Sequence, residues 1–222
     1  MAARRIALVA GATGLTGSHL LTQLLADDRY LRVTALVRKT SPTPNRNVSQ
    51  LVVDFDKLPA LPKADDAYCC LGTTIKKAGS QVAFRKVDFE YVVNFARAAR
   101  KAGTDRFLVV SSIGANARSS IFYSRVKGEM ENALREIGFG ALHIFQPSLI
   151  LGERKEHRAA ERFGIAAFSV MGMAMRGPMR KYRPINATTI VRAMIGAAFS
   201  DSAGTNTYQS DAIEKMGGSS PP

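Results

Sequence analysis

Residues 6–17 read Ile6-Ala-Leu-Val-Ala-Gly11-Ala-Thr-Gly14-Leu-Thr-Gly17, a short apolar strand that runs directly into a glycine-rich loop. The leucine stripe of residues 18–25 predicts a helix immediately after it. Glycines at such a junction allow a tight turn, bring bare backbone against a pyrophosphate and let the helix approach the strand. This context favours a dinucleotide-binding loop over an ordinary turn. The loop residues expected to bind are Gly11, Thr13, Gly14, Leu15, Thr16 and Gly17.

A phosphate-binding P-loop is the main rival for this stretch, and it requires a lysine followed by serine or threonine after the last glycine. Here Gly17 is followed by Ser18 and His19, so no lysine is available for the phosphates.

The rest of the chain alternates short apolar strands with amphipathic helices, a pattern typical of right-handed βαβ crossovers. Further strands are predicted at residues 33–37, 51–53, 67–71, 107–110 and 142–145, and helices at 81–101, 121–137 and 188–199. The long helix 81–101 is expected to bury Phe84, Val87, Tyr91 and Phe95. We therefore predict an α/β fold with a doubly wound parallel sheet, as a single domain over residues 1–216. Residues 153–185 would form a small substrate-side lid, and residues 217–222 a disordered tail.

The end of the second strand distinguishes NAD from NADP. An acidic residue there usually holds the ribose 2′-hydroxyl of NAD, whereas arginine suits the 2′-phosphate of NADP. Here Arg38 and Lys39 follow the strand, and no carboxylate occurs again before Asp54. A guanidinium can grip phosphate through a fork of donors, so the sequence favours NADP.

A tyrosine and a lysine four residues apart, Tyr123 and Lys127, share one face of the helix after the fifth strand. That strand ends in Ser111-Ser112, and the carboxyl ends of parallel strands border the ligand crevice. A phenol of pKa ~10 needs about 4 kcal/mol of preferential stabilisation of its anion to act near neutral pH. A neighbouring ammonium acts in that direction. Ser112, or else Ser111, would orient a substrate oxygen.

With these motifs in place, the chain resembles the atypical short-chain dehydrogenase/reductases, and more narrowly their Tat-interacting-protein oxidoreductase group. The resemblance spans nearly the whole chain and rests on the glycine loop and on Tyr68-Cys-Cys-Leu-Gly-Thr-Thr74, Phe84-Arg-Lys-Val-Asp88, Ser111-Ser-Ile-Gly-Ala-Asn-Ala-Arg-Ser119, Tyr123-Ser-Arg-Val-Lys127, Gly152-Glu-Arg154 and Arg180-Lys-Tyr-Arg-Pro184. It implies a Rossmann fold, NADPH as cofactor and a catalytic set of Ser112, Tyr123 and Lys127.

The same resemblance implies further nucleotide contacts. Asp54 would lie near the adenine, Leu71 and Gly72 near the nicotinamide-side ribose, and Pro147, Ser148 and Leu149 near the carboxamide. One departure falls in this set, because relatives usually read Arg-Pro-Gly where this chain has Gln146-Pro-Ser148.

Charge and composition narrow the remaining choices. The 222 residues carry 31 basic and 18 acidic side chains, a formal net charge of +13, which favours anionic partners. The basic residues are scattered, and no nucleic-acid recognition motif accompanies them, so specific nucleic-acid binding is not expected. Two adjacent cysteines, Cys69 and Cys70, support neither a disulfide framework nor a metal site. No transmembrane or signal segment is recognised, which predicts a cytoplasmic protein.

Two functions remain open at this level. The first is an NADPH-dependent oxidoreductase that transfers hydride to a carbonyl substrate. The second is an NADPH-binding regulatory or sensor protein that acts through a protein partner. The basic, methionine-rich residues 153–183 would form a lid, a partner groove or a peripheral membrane contact. The identity of the substrate and the oligomeric state are not indicated.

Overall fold

A computed structural model of the chain describes residues 3–40, 48–152 and 177–218. Most of the predicted lid, and the tail from residue 219, lie outside these ranges. The strands are β1 Arg5–Ala10, β2 Tyr30–Val37, β3 Val48–Val52, β4 Asp66–Cys69, β5 Arg106–Val110, β6 Ala141–Gln146, β7 Ile150–Leu151, β8 Ile185–Asn186 and β9 Gly204–Gln209. Strands β7 and β8 pair with each other. The other strands of the described part form a seven-stranded sheet in the order β3-β2-β1-β4-β5-β6-β9, and every neighbouring pair of strands is parallel.

Helices cover both faces of the sheet. They are α1 Leu15–Ala26, α2 Ile75–Ala78, α3 Gln81–Arg85, α4 Tyr91–Lys101, α5 Phe122–Arg135, α6 Ala187–Ala198 and α7 Ser210–Gly218. A π-helical turn, Lys86–Glu90, joins α3 to α4, and Gly177–Tyr182 form a 3₁₀ helix. None of the described helices combines the length and the apolar composition needed to cross a bilayer. The doubly wound parallel sheet predicted from the alternating pattern is confirmed.

Two hydrophobic cores flank the sheet. On one face α1 and α6 contribute Leu20 and Met194, which are fully buried against β1 and β5. On the other face α4 and α5 contribute Phe95 and Leu134. Full burial of each such side chain contributes roughly 1.5–3 kcal/mol relative to exposure. Both faces of the sheet are covered, which explains why its central strands are apolar throughout rather than alternating.

The structure extends the predicted elements at the carboxyl end of the chain. Strand β9 and helix α7 were not predicted, and the predicted tail of residues 217–222 begins too early, because Gly217 and Gly218 belong to α7. Gly217 is buried, and a Cβ there would lie 2.0 Å from the carbonyl oxygen of Thr189 on α6. The glycine is therefore required by the close approach of the two helices rather than marking a disordered end.

The strand order places the ligand crevice. Strand β1 has β2 on one side and β4 on the other, so the chain leaves β1 toward one edge of the sheet and later returns to its other side. In such sheets ligands bind beyond the carboxyl ends of the strands, at the point where the strand order reverses. The predicted site residues lie in the loops after β1 to β6, in the first turn of α1 and, for Tyr123 and Lys127, on helix α5, which follows β5.

Candidate active site

The glycine loop connects β1 to α1, and two of its glycines are required by the protein's own packing. Gly11 has φ +83°, and a Cβ on it would lie 2.5 Å from the carbonyl group of Cys70 in the neighbouring loop. A Cβ on Gly17 would lie 2.0 Å from the carbonyl oxygen of Gly11. These two glycines therefore bring the β1 loop against the β4 loop and allow α1 to start at Leu15, three residues earlier than predicted.

Gly14 behaves differently from the other two glycines. Its φ of −78° is ordinary, and a Cβ there would meet only the carbonyl oxygen of Gly11, at 3.4 Å. It caps α1 without any side-chain hydrogen bond, and the first-turn N–H groups of a helix have no intrahelical acceptor. Gly14 and Thr13 are exposed. This open backbone at a helix N-terminus fits the pyrophosphate of a dinucleotide.

The residues predicted to contact the adenosine follow β2 and β3. Arg38 and Lys39 are exposed directly after β2, and neither forms an ion pair with a carboxylate in the described ranges. Asp54 is exposed after β3, where one carboxylate oxygen accepts the N–H of Asp56 at 2.9 Å. The side chains predicted to contact the 2′-phosphate and the adenine therefore follow two neighbouring strands of the sheet.

The centre of the site is a buried ion pair between α5 and the π-helical turn. The Nζ atom of Lys127 lies 2.7 Å from a carboxylate oxygen of Asp88, and both side chains are almost completely buried. Burial lowers the pKa of Lys127, but the charges of Asp88 and Tyr123 raise it by more, so its pKa lies above the ordinary 10.5. Lys127 is therefore a permanent ammonium at neutral pH.

The other oxygen of Asp88 accepts the N–H of Thr73 at 2.8 Å. The carboxylate thus connects Lys127 to the loop after β4, which contains the predicted ribose contacts Leu71 and Gly72. Gly72 lies against the same carboxylate, because a Cβ on it would be 3.4 Å from Asp88 Oδ1. The structure brings the lysine and the ribose-side loop together through a residue to which the sequence analysis gave no role.

Tyr123 lies one helical turn before Lys127, in the first turn of α5, and is half-buried. Its ring packs against the fully buried Phe84, with 5.4 Å between the ring centroids. Its hydroxyl has no hydrogen-bond partner among the residues that the structure describes. The phenol is thus held by its ring while its hydroxyl remains available to a ligand.

The two serines at the end of β5 differ in their contacts. The hydroxyl of Ser111 is buried and donates to the carboxylate of Glu131 at 2.5 Å. The hydroxyl of Ser112 is only partly buried and makes a single long contact, 3.4 Å, to the carbonyl oxygen of Ile113. Of the two serines that the sequence left open, Ser112 is the one with a hydroxyl available to a substrate.

The loop after β6 is more constrained than the sequence suggested. Ser148 donates its N–H to Ser210 at 2.7 Å and its hydroxyl to the carbonyl oxygen of Arg183, so both of its donors are already used within the protein. Pro147 is buried, and its carbonyl accepts the N–H of Ile113 at 3.0 Å. Within the described ranges the N–H of Leu149 has no acceptor, so the backbone of Leu149 is the donor that this loop can offer to a carboxamide.

The adjacent cysteines pack on opposite faces of the sheet, as the alternation of a strand predicts. Burial raises the pKa of the Cys69 thiol to about 12 and raises that of Cys70 as well. Both thiols are therefore protonated at neutral pH, which argues against a nucleophilic role.

Comparison with known proteins agrees with this geometry. Residues 11–149 match a family model described as NAD(P)H-binding. The chain belongs to the NAD(P)H-binding family. The match begins at the first glycine of the loop and ends at Leu149, so it contains every predicted site residue. Five of the seven strands of the main sheet, β2 to β6, lie within this interval, and the family assignment therefore rests on the part of the fold that forms the crevice.

Two curated relatives are similar to the chain over most of their length. Protein HTATIP2 of Rattus norvegicus is 35% identical over 203 residues, which cover 88% of this chain and 82% of the relative. Protein fmp52, mitochondrial, of Aspergillus fumigatus is 34% identical over 224 residues, covering 96% and 95%. The resemblance to the Tat-interacting-protein oxidoreductase group is confirmed. The name of the fungal relative leaves the predicted cytoplasmic location without confirmation.

Among solved structures, the human epimerase family protein SDR39U1 with NADPH superposes with a TM-score of 0.64. Its sequence identity is 19%, and the match covers 92% of this chain and 74% of that one. At this identity the likeness shows the shared fold.

Proposed function

We propose that the protein is an NADPH-dependent reductase that transfers hydride to a carbonyl compound. The observation that carries the proposal is the buried Lys127–Asp88 pair, one helical turn from a tyrosine whose hydroxyl has no partner in the described structure. Asp88 also accepts a hydrogen bond from the loop after β4, and the glycine loop packs against that same loop. When bound, the reduced nicotinamide supplies a hydride to the carbonyl carbon.

The chain's own residues supply the proton and the orientation. Tyr123 donates its hydroxyl proton to the carbonyl oxygen, which becomes the alcohol oxygen of the product. The ammonium of Lys127 stabilises the phenolate that remains, until solvent returns a proton to it. Ser112 donates a hydrogen bond to the same carbonyl oxygen and holds the carbon toward the nucleotide.

Asp88 is a positioning residue in this proposal. Its carboxylate fixes the ammonium of Lys127 and, through Thr73, the loop that would border the ribose. A buried ammonium without a counter-charge would be costly, so Asp88 allows the lysine to stay charged inside the protein.

NADPH is proposed over NADH because Arg38 and Lys39 stand where an NAD-binding chain carries an acid. Two exposed cations without a carboxylate partner in the described ranges suit a 2′-phosphate, because the phosphate carries a negative charge that a 2′-hydroxyl lacks.

Turnover of a panel of aldehydes and ketones, followed by NADPH absorbance, tests the proposal. Tyr123→Phe removes the proton donor and keeps the ring against Phe84, so kcat should fall by about 10²-fold or more. The affinity for NADPH should change by less than about threefold, measured by fluorescence titration. Tyr91→Phe is the matched control and should leave kcat unchanged. It also removes a tyrosine hydroxyl, but one at the start of α4 that donates to the carboxylate of Asp56.

Loss of both turnover and NADPH binding in Tyr123→Phe, or of neither, would refute the role of this tyrosine. If the wild type binds NADPH tightly but reduces no compound of the panel, the reductase proposal is refuted. That result would favour an NADPH sensor that acts through a protein partner.

A further inference from the structure

We propose that Glu131 is a positioning residue that holds the ends of β5 and β6 in register with the tyrosine and lysine of α5. The inference rests on the proposed function and deepens it. Glu131 stands one helical turn beyond Lys127 and two turns beyond Tyr123, on the same side of α5. Its side chain points into the protein, where only 3% of the residue is exposed.

Four hydrogen bonds converge on this carboxylate. Ser111 donates its hydroxyl at 2.5 Å, and the amide nitrogen of Gln146 donates to both carboxylate oxygens, at 2.9 and 3.0 Å. Arg135, one turn further along α5, lies 3.3 Å from the second oxygen. Ser111 and Gln146 are themselves buried. The carboxylate is therefore the common acceptor of three chain segments: the end of β5, the end of β6 and α5.

The hydrogen bonds at Glu131 fix the geometry of this junction more than they stabilise the fold. A buried carboxylate loses its hydration, and an apolar side chain of similar volume would fill the space without that cost. Hydrogen bonds are directional, whereas apolar contacts allow neighbouring segments to slide. The arrangement at Glu131 therefore determines where β5 and β6 end relative to α5.

The residues that follow the junction are those assigned to the reaction. Ser112 comes directly after Ser111, and Pro147 comes directly after Gln146. Beyond the junction the two loops remain joined, because the N–H of Ile113 donates to the carbonyl oxygen of Pro147 at 3.0 Å. A displaced junction would thus shift the substrate-orienting serine and the carboxamide-side loop together. Glu131 touches neither the proposed substrate nor the nucleotide, so it acts through these neighbours.

An amide swap tests the inference. In Glu131→Gln, either orientation of the new amide places an NH₂ group against the NH₂ of Gln146, because that nitrogen contacts both oxygens of the native carboxylate. We expect kcat to fall by about tenfold or more, while the NADPH dissociation constant changes by less than about threefold. The double variant Glu131→Gln/Gln146→Glu pairs an NH₂ donor with a carboxylate acceptor again, beside one oxygen–oxygen contact, and should recover part of kcat.

Glu136→Gln is the matched control, because Glu136 is exposed at the carboxyl end of the same helix. It should retain the wild-type kcat. Wild-type kcat in Glu131→Gln, measured per bound nucleotide, would overturn the inference, as would a double variant no better than the single one. Because kcat is measured per bound nucleotide, unfolded protein does not contribute to it, and a general loss of stability alone would leave this value unchanged.

Hydrogen exchange of the Ile113 amide gives a second readout that needs no turnover. Glu131→Gln should make this amide exchange about tenfold faster or more, and the swap should restore its protection, whereas Glu136→Gln should not change it. Unchanged protection in Glu131→Gln would overturn the inference even if the wild type reduced no carbonyl in the panel. Silence of the wild type would count against the proposed function alone.

Discussion

The three glycines of the β1 loop have different physical reasons to be glycine, and this difference can be measured. Gly17 lacks room for a Cβ because the carbonyl oxygen of Gly11 would be 2.0 Å away, so Gly17→Ala should destabilise the fold by about 1–3 kcal/mol or more. Gly14 has room and an ordinary φ, so Gly14→Ala should leave the free energy of unfolding nearly unchanged. It should still weaken nucleotide binding by about tenfold or more, because the Cβ would occupy the phosphate's space. Urea unfolding and NADPH titration of both variants measure the contrast, and an unaltered affinity in Gly14→Ala would contradict this account of the loop.

The Lys127–Asp88 pair should contribute both to stability and to the reaction, and a double substitution separates the two. Asp88→Asn leaves a buried ammonium without its counter-charge, which should cost about 3–5 kcal/mol of unfolding free energy. Replacement of both partners, Asp88→Leu with Lys127→Met, should recover most of that stability yet leave carbonyl reduction abolished. Turnover by the double variant would show that the lysine takes no part in the chemistry. Urea unfolding and NADPH oxidation are the measurements.

The burial of His143 should make the free energy of unfolding sensitive to acid. Burial, together with the positive charge of Arg106, lowers the pKa of His143 from 6.5 to about 4. Its ring stacks on Tyr208, whose hydroxyl lies 3.1 Å from Nδ1. Between these two pH values His143 is protonated in the unfolded chain but not in the folded chain. The free energy of unfolding should therefore fall as the pH drops from 6.5 toward 4.

The size of this effect is up to roughly 3 kcal/mol. His143→Phe keeps an aromatic ring against Tyr208 and removes the titration, so its unfolding free energy should decline less steeply over the same interval. Equal slopes for the wild type and His143→Phe in urea unfolding at several pH values would contradict the assignment.

Among the helices, the predicted helix 81–101 shows which buried positions regular helical spacing can predict and which it cannot. A single stripe of Phe84, Val87, Tyr91 and Phe95 was predicted, but Val87 and Tyr91 are only half-buried. The π-helical turn Lys86–Glu90 rotates the face that follows it, so Asp88 and Val92 become the buried positions. Regular helical spacing does not include such a turn. The sequence did contain one indication that Asp88 is buried, because Asp88 lies four residues from each of two core positions, Phe84 and Val92.

Strand β9 and helix α7 were missed for a related reason. Gly204-Thr-Asn-Thr-Tyr-Gln209 contains no apolar run, because β9 is an edge strand whose residues are exposed or half-buried. Its pairing with β6 is made by the backbone, which leaves little trace in the side chains. By contrast, the central strands are buried on both faces and were predicted to within a few residues.

The end of β2 should select the nucleotide. Arg38→Ser removes a guanidinium from the proposed 2′-phosphate site and should weaken NADPH binding by about 10- to 100-fold, with little effect on NADH. Arg32→Ser is the matched control, since Arg32 is exposed on β2, five residues before the carboxyl end of the strand. Equal affinity of Arg38→Ser and the wild type for NADPH would refute the role of this arginine.

In the molecule as a whole, the order of the strands brings the sequence motifs together at one edge of the sheet. The sequence predicted the glycine loop, the parallel sheet and the tyrosine–lysine pair, because each depends on local spacing and on a general rule about where strands end. It could not predict that Asp88 and Glu131 are buried partners of the site, because their contacts join elements distant in the chain: β4 with α5, and β5 with β6. Such contacts depend on the packed fold rather than on local sequence.

The crevice at the carboxyl ends of β1 and β4 should bind NADPH, and calorimetric titration of the wild-type chain with NADPH and with NADH measures this binding. We expect one nucleotide per chain, with NADPH bound more tightly than NADH by about tenfold or more. Absence of heat with either nucleotide, or tighter binding of NADH, would contradict it.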